Sequence, residues 1–297
     1  MIFINYYDEI KNELVNNEIT KKVKDYSKNR SDLNTYYNVG KLLSEAGKHY
    51  GEGIIKEYSK RLTNEFGTKF GITLLKRIRQ FYIVIEKGAT MSHQLSWSHY
   101  CELLPVNSID KINYYIKITK EQNLSIRELR TKIKNNDYER LDESTKEKLK
   151  EKEKLKLPDL VKNPIQIKNT SGNNEISEKV LQKLILEDIP SFLKELGSGF
   201  SFIDNEYKIK MGDRYNYIDL LLYNIKYKCY VVVELKVTKL NSNHTGQIQK
   251  YMNYIDKNIK NIDDNKTVGI IICKKENKYV IEYCSDDRII SREYELV

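Results

Sequence analysis

Two neighbouring stretches decide the fold of the C-terminal half: YNYIDLLLYN at residues 215–224 and CYVVVELKV at residues 229–237. Both are rich in the β-branched and aromatic residues that favour strands. Only residues 225–228 separate them, which is the length of a hairpin connector. We therefore predict two antiparallel strands that lie side by side in one sheet.

Charged residues sit in these otherwise apolar strands. Glu234 and Lys236 close the second strand, and side chains two residues apart point to the same face. Asp219 lies near the start of the first strand, and a short hairpin brings the start of one strand beside the end of the next. The sequence thus predicts that Asp219, Glu234 and Lys236 meet at one site.

Two carboxylates beside a hydrophobic Val run would repel each other and lose hydration unless a cation lay between them. Oxygen ligands of this kind favour Mg²⁺ or Mn²⁺, with Asp219 and Glu234 as metal ligands. A bound metal could polarise a scissile phosphate, and Lys236 would orient water and stabilise developing charge. The Glu-x-Lys spacing also occurs at residues 9–11, 206–208 and 276–278, so a surface salt bridge at a strand end is the alternative interpretation.

The rest of the C-terminal half continues this mixed pattern. A helix is predicted for residues 176–197, a strand for FSFIDNEYKIKMG at 200–212 and a crossover helix for 244–260. TVGIIICKK at 267–275 and YVIEYC at 279–284 are predicted as further strands. Together these elements predict an α/β domain with a mixed sheet covered by helices.

The N-terminal half has helical periodicity instead. Apolar residues recur at helical spacing from residue 4 to 135, and several segments end at Gly. Three short helices between Ser96 and Asn135 have connectors suited to a helix-turn-helix-like arrangement. We predict an all-α domain over residues 1–136, a charged linker over 137–175 and the α/β domain over 176–297.

Positive charge is concentrated in the helical half. Residues 1–136 carry 23 Lys and Arg against 15 Asp and Glu, while residues 176–297 carry 19 against 18. This asymmetry predicts a polyanionic partner such as DNA. The alternative is a lysine-rich composition, which explains the abundance of Lys but not why the positive excess is confined to one half. The candidate contacts form two helical clusters, each of which could also be an ordinary solvated face: Lys76, Arg77 and Arg79, and Arg127, Arg130, Lys132 and Lys134.

No apolar run is long enough to span a bilayer, and the N-terminus becomes polar too early for a signal peptide. The sequence therefore predicts a soluble, cytoplasmic protein without a membrane partner.

The motifs resemble one known family. The segments FLKELGSGFSFI, YIDLLLYN, VVVELK, TGQIQKYM and GIIICK are similar to the PD-(D/E)XK nuclease domain of the YhcG (DUF1016) family. The upstream segments KRIRQFY, LSWSHYCELL and LSIRELR are similar to the N-terminal DUF1016 domain of that family. The resemblance implies a restriction-endonuclease-like core.

The resemblance also implies roles for individual residues. It assigns metal and catalytic roles to Asp219, Glu234 and Lys236, and adds Gln247 and Tyr251 as a QxxxY pair on one helical face. Glu178 matches an acidic residue that helps to hold a metal or its waters in many such nucleases. Two positions depart from the pattern, namely Gln182, where an acid is common, and Glu206, where an uncharged or basic residue is usual.

The leading hypothesis is a Mg²⁺- or Mn²⁺-dependent DNA endonuclease or structure-specific DNA nuclease. The alternative is a catalytically silent DNA-binding or complex-assembly protein that uses the nuclease fold as a scaffold. RNA stays open as a substrate, because no motif indicates whether a 2′-hydroxyl is recognised. The sequence also leaves open whether the protein is a monomer or a homodimer.

Overall fold

The computed structural model describes residues 6–22, 28–51, 53–170, 172, 176–284 and 286–297. The chain divides into two compact units, the first ending at Tyr138 and the second beginning at Glu139. Each has its own hydrophobic core. Among the described residues, none of the helices has both the length and the apolar character needed to cross a membrane.

The N-terminal unit is helical, in agreement with the periodicity of its sequence. Its helices are α1 (Tyr6–Lys22), α2 (Lys28–Tyr50), α3 (Ile54–Phe66), α4 (Ile72–Glu86), α5 (Trp97–Leu103), α6 (Ile109–Gln122) and α7 (Ile126–Lys134). Apolar residues three and four positions apart form buried faces on α1, α2, α3 and α4, and these faces pack into one core.

Helix α7 begins with a capping box. Ser125 and Glu128 form a capping box, in which the Ser125 N–H donates to Glu128 Oε2 at 2.9 Å and the Glu128 N–H donates to Ser125 Oγ at 3.2 Å. These two hydrogen bonds satisfy backbone donors that the first helical turn leaves without partners.

The C-terminal unit is a six-stranded mixed sheet with helices. Its elements are α8 (Glu143–Lys150), α9 (Leu157–Leu160), β1 (Ile165–Ile167), α10 (Glu178–Glu187), α11 (Ile189–Leu196), β2 (Phe200–Met211), β3 (Arg214–Asn224), β4 (Cys229–Lys239), α12 (Ser242–Asn258), β5 (Val268–Lys275), α13 (Lys278–Cys284) and β6 (Ile289–Leu296). The strand order is β1-β6-β5-β4-β3-β2. Strands β2, β3 and β4 are antiparallel, and β4, β5, β6 and β1 run parallel.

Both faces of the central sheet are covered. Val231, Val233 and Leu235 of β4 pack into a core with residues of α10 and α11, whereas Val232 packs into a core with residues of α12. The near-continuous apolar run of β4 follows from this two-sided burial. Because side chains alternate, Glu234 and Lys236 lie on the α12 face of the strand.

Two predicted elements differ from the sequence interpretation. The helix predicted for residues 176–197 is divided at Asp188, whose carboxylate caps α11 by accepting from the Ser191 N–H at 3.2 Å. The strand predicted for residues 279–284 is wrong, since these residues belong to helix α13. Strands β5 and β6 are parallel, so the chain must cross over between them, and α13 lies within that connection.

The start of the second unit also differs from the prediction. Residues 139–167, predicted as part of a charged linker, belong to the C-terminal unit. Leu157, Val161, Ile165 and Ile167 are buried in its core, and β1 extends the sheet by pairing with β6. Residues 171 and 173–175 of the predicted linker lie outside the described residues. The dense charge of this segment concealed its widely spaced apolar residues.

A buried ionic cluster ties this segment to helix α11. Glu195 accepts hydrogen bonds from Arg140, from Lys162 Nζ at 2.8 Å and from the Gln166 N–H at 3.1 Å. Arg140 and Lys162 are both buried. Glu195 neutralises one of these two positive charges and accepts hydrogen bonds from both side chains, which lowers the cost of burying them.

Candidate active site

Strand β4 positions a buried ion pair at its end. Glu234 is only 1% exposed, and its Oε1 atom accepts a hydrogen bond from Lys236 Nζ at 2.8 Å. The two residues are two positions apart on one strand, so they share a face. The pair lies on the face covered by α12, beside the apolar residues of β4.

Asp219 occupies the point where β3 separates from β4. The two strands pair from Leu220 opposite Val233 to Asn224 opposite Cys229. One residue beyond this ladder, Asp219 Oδ2 accepts from the Leu235 N–H at 2.7 Å, so a side chain replaces a backbone acceptor. Gln182 of α10 donates to the Asp219 carbonyl oxygen at 3.0 Å. These contacts fix Asp219 beside Glu234.

Helix α12 contributes the QxxxY pair. Gln247 Nε2 donates to Glu234 Oε1 at 2.8 Å and to the Tyr251 hydroxyl oxygen at 3.1 Å. The two residues are one helical turn apart, and Tyr251 is buried in the α12 core. Glu234 Oε1 therefore accepts from both Lys236 and Gln247.

Helix α10 brings a third carboxylate to this edge. Glu178 follows Ser177, whose side chain caps the helix by accepting from the Val180 N–H at 3.3 Å. Glu178 Oε2 lies 3.6 Å from Lys236 Nζ, and its side chain is partly exposed. The structure thus brings together Asp219, Glu234 and Lys236 with Gln247, Tyr251 and Glu178.

The donor set fits a divalent cation. Glu234 Oε2 is buried and has no hydrogen-bond partner, although its sister oxygen accepts two hydrogen bonds. Within the described part of the chain, no group of three or more His, Cys, Asp and Glu side chains is arranged to hold a metal ion. Mg²⁺ is usually held by one or two carboxylates together with waters and substrate phosphates, so Asp219 and Glu234 would suffice.

Burial and mutual repulsion control the charges of the site. Burial, followed by the negative charge of Asp219, raises the pKa of Glu234 to about 7. Burial also raises the pKa of Asp219. For Lys236, burial alone would lower the pKa, but Glu234 and Glu178 raise it overall, so the amine stays protonated. Without a cation, Glu234 is only partly ionised near neutral pH.

Sequence reasoning did not assign every residue at this site. Gln182, noted only as a departure from the family pattern, holds the Asp219 backbone, and its place one turn after Glu178 was the available signal. Glu206, the other departure, lies near enough for its charge to raise the pKa of Asp219. It has a positive φ of 48°, which no sequence pattern indicated.

The basic residues predicted to contact DNA differ in their surroundings. On α4, Lys76 and Arg77 are exposed and Arg79 is half-buried. On α7, Arg127 and Lys134 are exposed. Arg130 instead forms a bidentate ion pair with Glu102 at 2.9 and 2.6 Å, and Lys132 pairs with the buried Asp137 at 3.3 Å. The last two cations are therefore already neutralised within the unit.

The mixed sheet and its acidic edge define the C-terminal unit as a nuclease domain of the PD-(D/E)XK class. The family model described as the YhcG PDDEXK nuclease domain matches residues 158–296. The model described as the DUF1016 N-terminal domain matches residues 9–140. The chain belongs to the YhcG family, and it carries both domains. It is 24% identical to YhcG of Escherichia coli (strain K12) over 309 residues, which cover 88% of this chain and 82% of the relative.

Two solved structures also resemble part of the chain. They are a repair endonuclease from Pyrococcus abyssi and EndoMS in the EndoMS-dsDNA2 complex, each 18% identical with a TM-score of 0.29. The matches cover 43% of this chain and 49% and 48% of the two solved chains. This chain thus spans about half the length of each.

Proposed function

We propose that this protein is a DNA nuclease that hydrolyses phosphodiester bonds with Mg²⁺ or Mn²⁺ at Asp219 and Glu234. The observation that carries the proposal is the asymmetric environment of Glu234. One carboxylate oxygen accepts from Lys236 and Gln247, while the other is buried without a partner next to Asp219. Carboxylates that bind metals are in turn held by hydrogen bonds, and Glu234 has one oxygen held in this way and the other available.

The surrounding side chains would hold the two ligands in place. Gln247 fixes the orientation of Glu234, and Tyr251 in turn positions Gln247. Gln182 and the Leu235 amide fix Asp219 from two directions. When bound, the divalent cation would supply a polarised phosphate and a water of lowered pKa.

Lys236 would act on the reacting groups. Its ammonium group is held between Glu234 and Glu178, at 2.8 and 3.6 Å, and it is charged at neutral pH. From this position it can orient the attacking water and stabilise the negative charge that develops on the phosphate. The water oxygen bonds to phosphorus as the bond to the leaving sugar oxygen breaks, without a covalent enzyme intermediate.

The helical unit would supply the electrostatic attraction for DNA. The positive excess of residues 1–136 favours a phosphate backbone as partner. The exposed members of the two basic clusters, Lys76, Arg77, Arg127 and Lys134, are the preferred contacts. Arg79, Arg130 and Lys132 would have a smaller part, because Arg79 is half-buried and the other two are ion-paired.

The proposal is tested by cleavage of a substrate panel. Purified full-length protein is incubated with linear, nicked, single-stranded and four-way-junction DNA, and with RNA, in Mg²⁺, Mn²⁺ or EDTA. We expect cleavage of at least one DNA substrate with either metal and none in EDTA. Binding without cleavage of any substrate would instead support a scaffold that has lost the chemistry.

A further inference from the structure

The hairpin formed by β2 and β3 extends beyond the rest of the sheet. The two strands pair out to Met211 opposite Arg214. Strand β3, however, pairs with β4 only from Leu220 onward. Residues 205–218, called the hairpin arm from here on, therefore form a two-stranded ribbon that begins beside Asp219.

The two sides of the hairpin arm differ in character. Tyr207, Ile209 and Ile218 belong to the core on the α12 side of the sheet. The alternate positions are exposed, and they carry two lysines and two tyrosines: Lys208, Lys210, Tyr215 and Tyr217. Tyr215 is 54% exposed and Tyr217 is 51% exposed.

The register places the lysines directly across from the tyrosines. Lys208 lies opposite Tyr217, and Lys210 lies opposite Tyr215. Both lysines approach the Tyr215 ring, and Lys208 makes the closer contact, with its Nζ atom 4.0 Å from the ring centroid against 5.9 Å for Lys210 Nζ. This contact stabilises the ribbon, as cross-strand pairs commonly do. The contact involves only the Tyr215 ring, and both Tyr215 and Tyr217 keep about half of their surface exposed to solvent.

We propose that this face of the hairpin arm binds an unpaired DNA strand. Lys208 and Lys210 would contact phosphates, and Tyr215 and Tyr217 would stack with bases, which is the combination that single-strand-binding surfaces use. The choice of DNA as the ligand of this surface rests on the proposed nuclease function. The hairpin arm would thus be a DNA-binding element within the nuclease domain, and it would recognise single-stranded DNA.

The spacing of the tyrosines favours an unpaired strand over a duplex. Residues two apart on one side of a strand are separated by roughly 7 Å. Successive bases in a duplex strand are about 3.4 Å apart. Bases that stack on both rings would have to be separated from each other, which an unpaired strand permits and a stacked duplex resists.

The hairpin arm leads toward the candidate active site. Tyr217 and Tyr215 precede Asp219 by two and four residues on β3, or roughly 7 and 13 Å along the strand. Glu206, beside Asp219, is the acidic residue closest to the site on the arm. The basic and aromatic character is thus confined to the outer part, so a bound strand would continue from there to the site.

The first test compares tyrosine variants of the full-length protein. Affinity is measured for a fluorescent single-stranded oligodeoxynucleotide and for its duplex, in Ca²⁺ without Mg²⁺. We expect Y215A/Y217A to weaken single-strand binding by about fivefold or more per tyrosine and to leave duplex binding nearly unchanged. Y215F/Y217F should retain affinity because it keeps both rings. The matched control is Y279A/Y283A on α13, whose tyrosines are each 74% exposed.

The second test concerns the lysines. K208A/K210A should reduce the slope of log affinity against log salt for the single strand by about 0.7 per lysine. K274A/K275A, which removes two exposed lysines at the end of β5, is the control for net charge. An equal reduction of the salt slope in K208A/K210A and K274A/K275A would show that Lys208 and Lys210 do not make specific phosphate contacts.

The tyrosine assignment fails if Y215A/Y217A binds the single strand like wild type, or if it weakens duplex and single strand equally. Cleavage by the wild-type protein is measured separately on the same oligonucleotides. If wild type cleaves DNA and the tyrosine variant binds the single strand normally, the hairpin arm is not a binding element and the nuclease proposal stands. Weakened binding by that variant, together with no cleavage by wild type of any DNA in the substrate panel, would reject the nuclease and retain the arm.

Discussion

The charge on Glu234 links the stability of the site to its chemistry. Its side chain is almost completely buried, and burial together with Asp219 raises its pKa to about 7. The same burial leaves Oε2 without a hydrogen-bond partner. Ionisation of Glu234 therefore lowers the stability of the metal-free protein. A bound cation would favour the ionised carboxylate and stabilise the site.

This property makes a prediction for the metal-free protein. A carboxyl group with a raised pKa binds more protons in the folded state than in the unfolded state, so stability falls as pH rises from about 4.5 to 7. The shift corresponds to a loss on the order of 3 kcal/mol. We expect Glu234→Gln to remove most of this loss in EDTA, as measured by unfolding at pH 5 and pH 8.

The matched control is Glu282→Gln, which changes an exposed carboxylate on α13. It should keep the pH dependence of the wild-type protein. If Glu234→Gln also kept the pH dependence of the wild-type protein, the raised pKa of Glu234 would be contradicted.

Among individual residues, the sequence predicted which side chains would lie together better than it predicted the contacts that hold them in place. Alternation along β4 and the hairpin connector predicted that Glu234, Lys236 and Asp219 would meet. The hydrogen bond from Gln182 to the Asp219 backbone could not be predicted, because it depends on how α10 packs across the sheet. The positive φ of Glu206 likewise reflects tertiary structure rather than local propensity.

Secondary structure elements were predictable where periodicity was strong. The apolar strands β3, β4 and β5 and the helices of the N-terminal unit have clear patterns. Helix α13 was mistaken for a strand because YVIEYC is rich in strand-forming residues, whereas the parallel pairing of β5 and β6 requires a crossover. Strand β1 was missed because three residues between Pro164 and Lys168 give almost no signal.

The ionic cluster around Glu195 makes a prediction about the segment 139–167. Glu195→Ala would leave the buried Arg140 and Lys162 without their shared carboxylate. Removing one partner of a buried ion pair typically costs about 3–5 kcal/mol. We expect a large loss of stability in denaturant unfolding, together with faster amide exchange in residues 139–167.

Glu187→Ala provides the comparison for this cluster. Glu187 forms a more exposed ion pair with Lys183, at 4.0 Å, and its removal should change stability by less than about 1 kcal/mol. Equal effects of the two substitutions would mean that segment 139–167 is not held by Glu195.

For the whole molecule, the uneven distribution of charge predicts that the N-terminal unit supplies most of the electrostatic attraction for DNA. Replacing Lys76, Arg77, Arg127 and Lys134 with Ala in the full chain should weaken duplex DNA binding. Each residue that contacts a phosphate should reduce the slope of log affinity against log salt by about 0.9. The measurement is a salt titration of affinity in Ca²⁺.

A second quadruple variant separates specific contacts from total charge. It replaces Lys41, Lys56, Lys60 and Lys120, which are also exposed in the helical unit. This variant removes the same charge and should change the salt slope less. Equal slopes would indicate that the positive excess is only compositional.

If Lys236 acts in hydrolysis of a phosphodiester bond, its removal should slow single-turnover cleavage. Lys236→Ala is compared with wild type and with Lys239→Ala, an exposed lysine on the same strand. DNA affinity is measured in parallel in Ca²⁺.

Loss of one preorganised electrostatic donor should cost about 2.7–4 kcal/mol in the chemical step, or roughly a hundredfold or more in rate. We predict this loss for Lys236→Ala with nearly unchanged affinity, and a near-wild-type rate for Lys239→Ala. Cleavage by Lys236→Ala at the wild-type rate would exclude a role for Lys236 in the chemical step. A change in its affinity alone, with no cleavage by the wild type, would exclude nuclease activity.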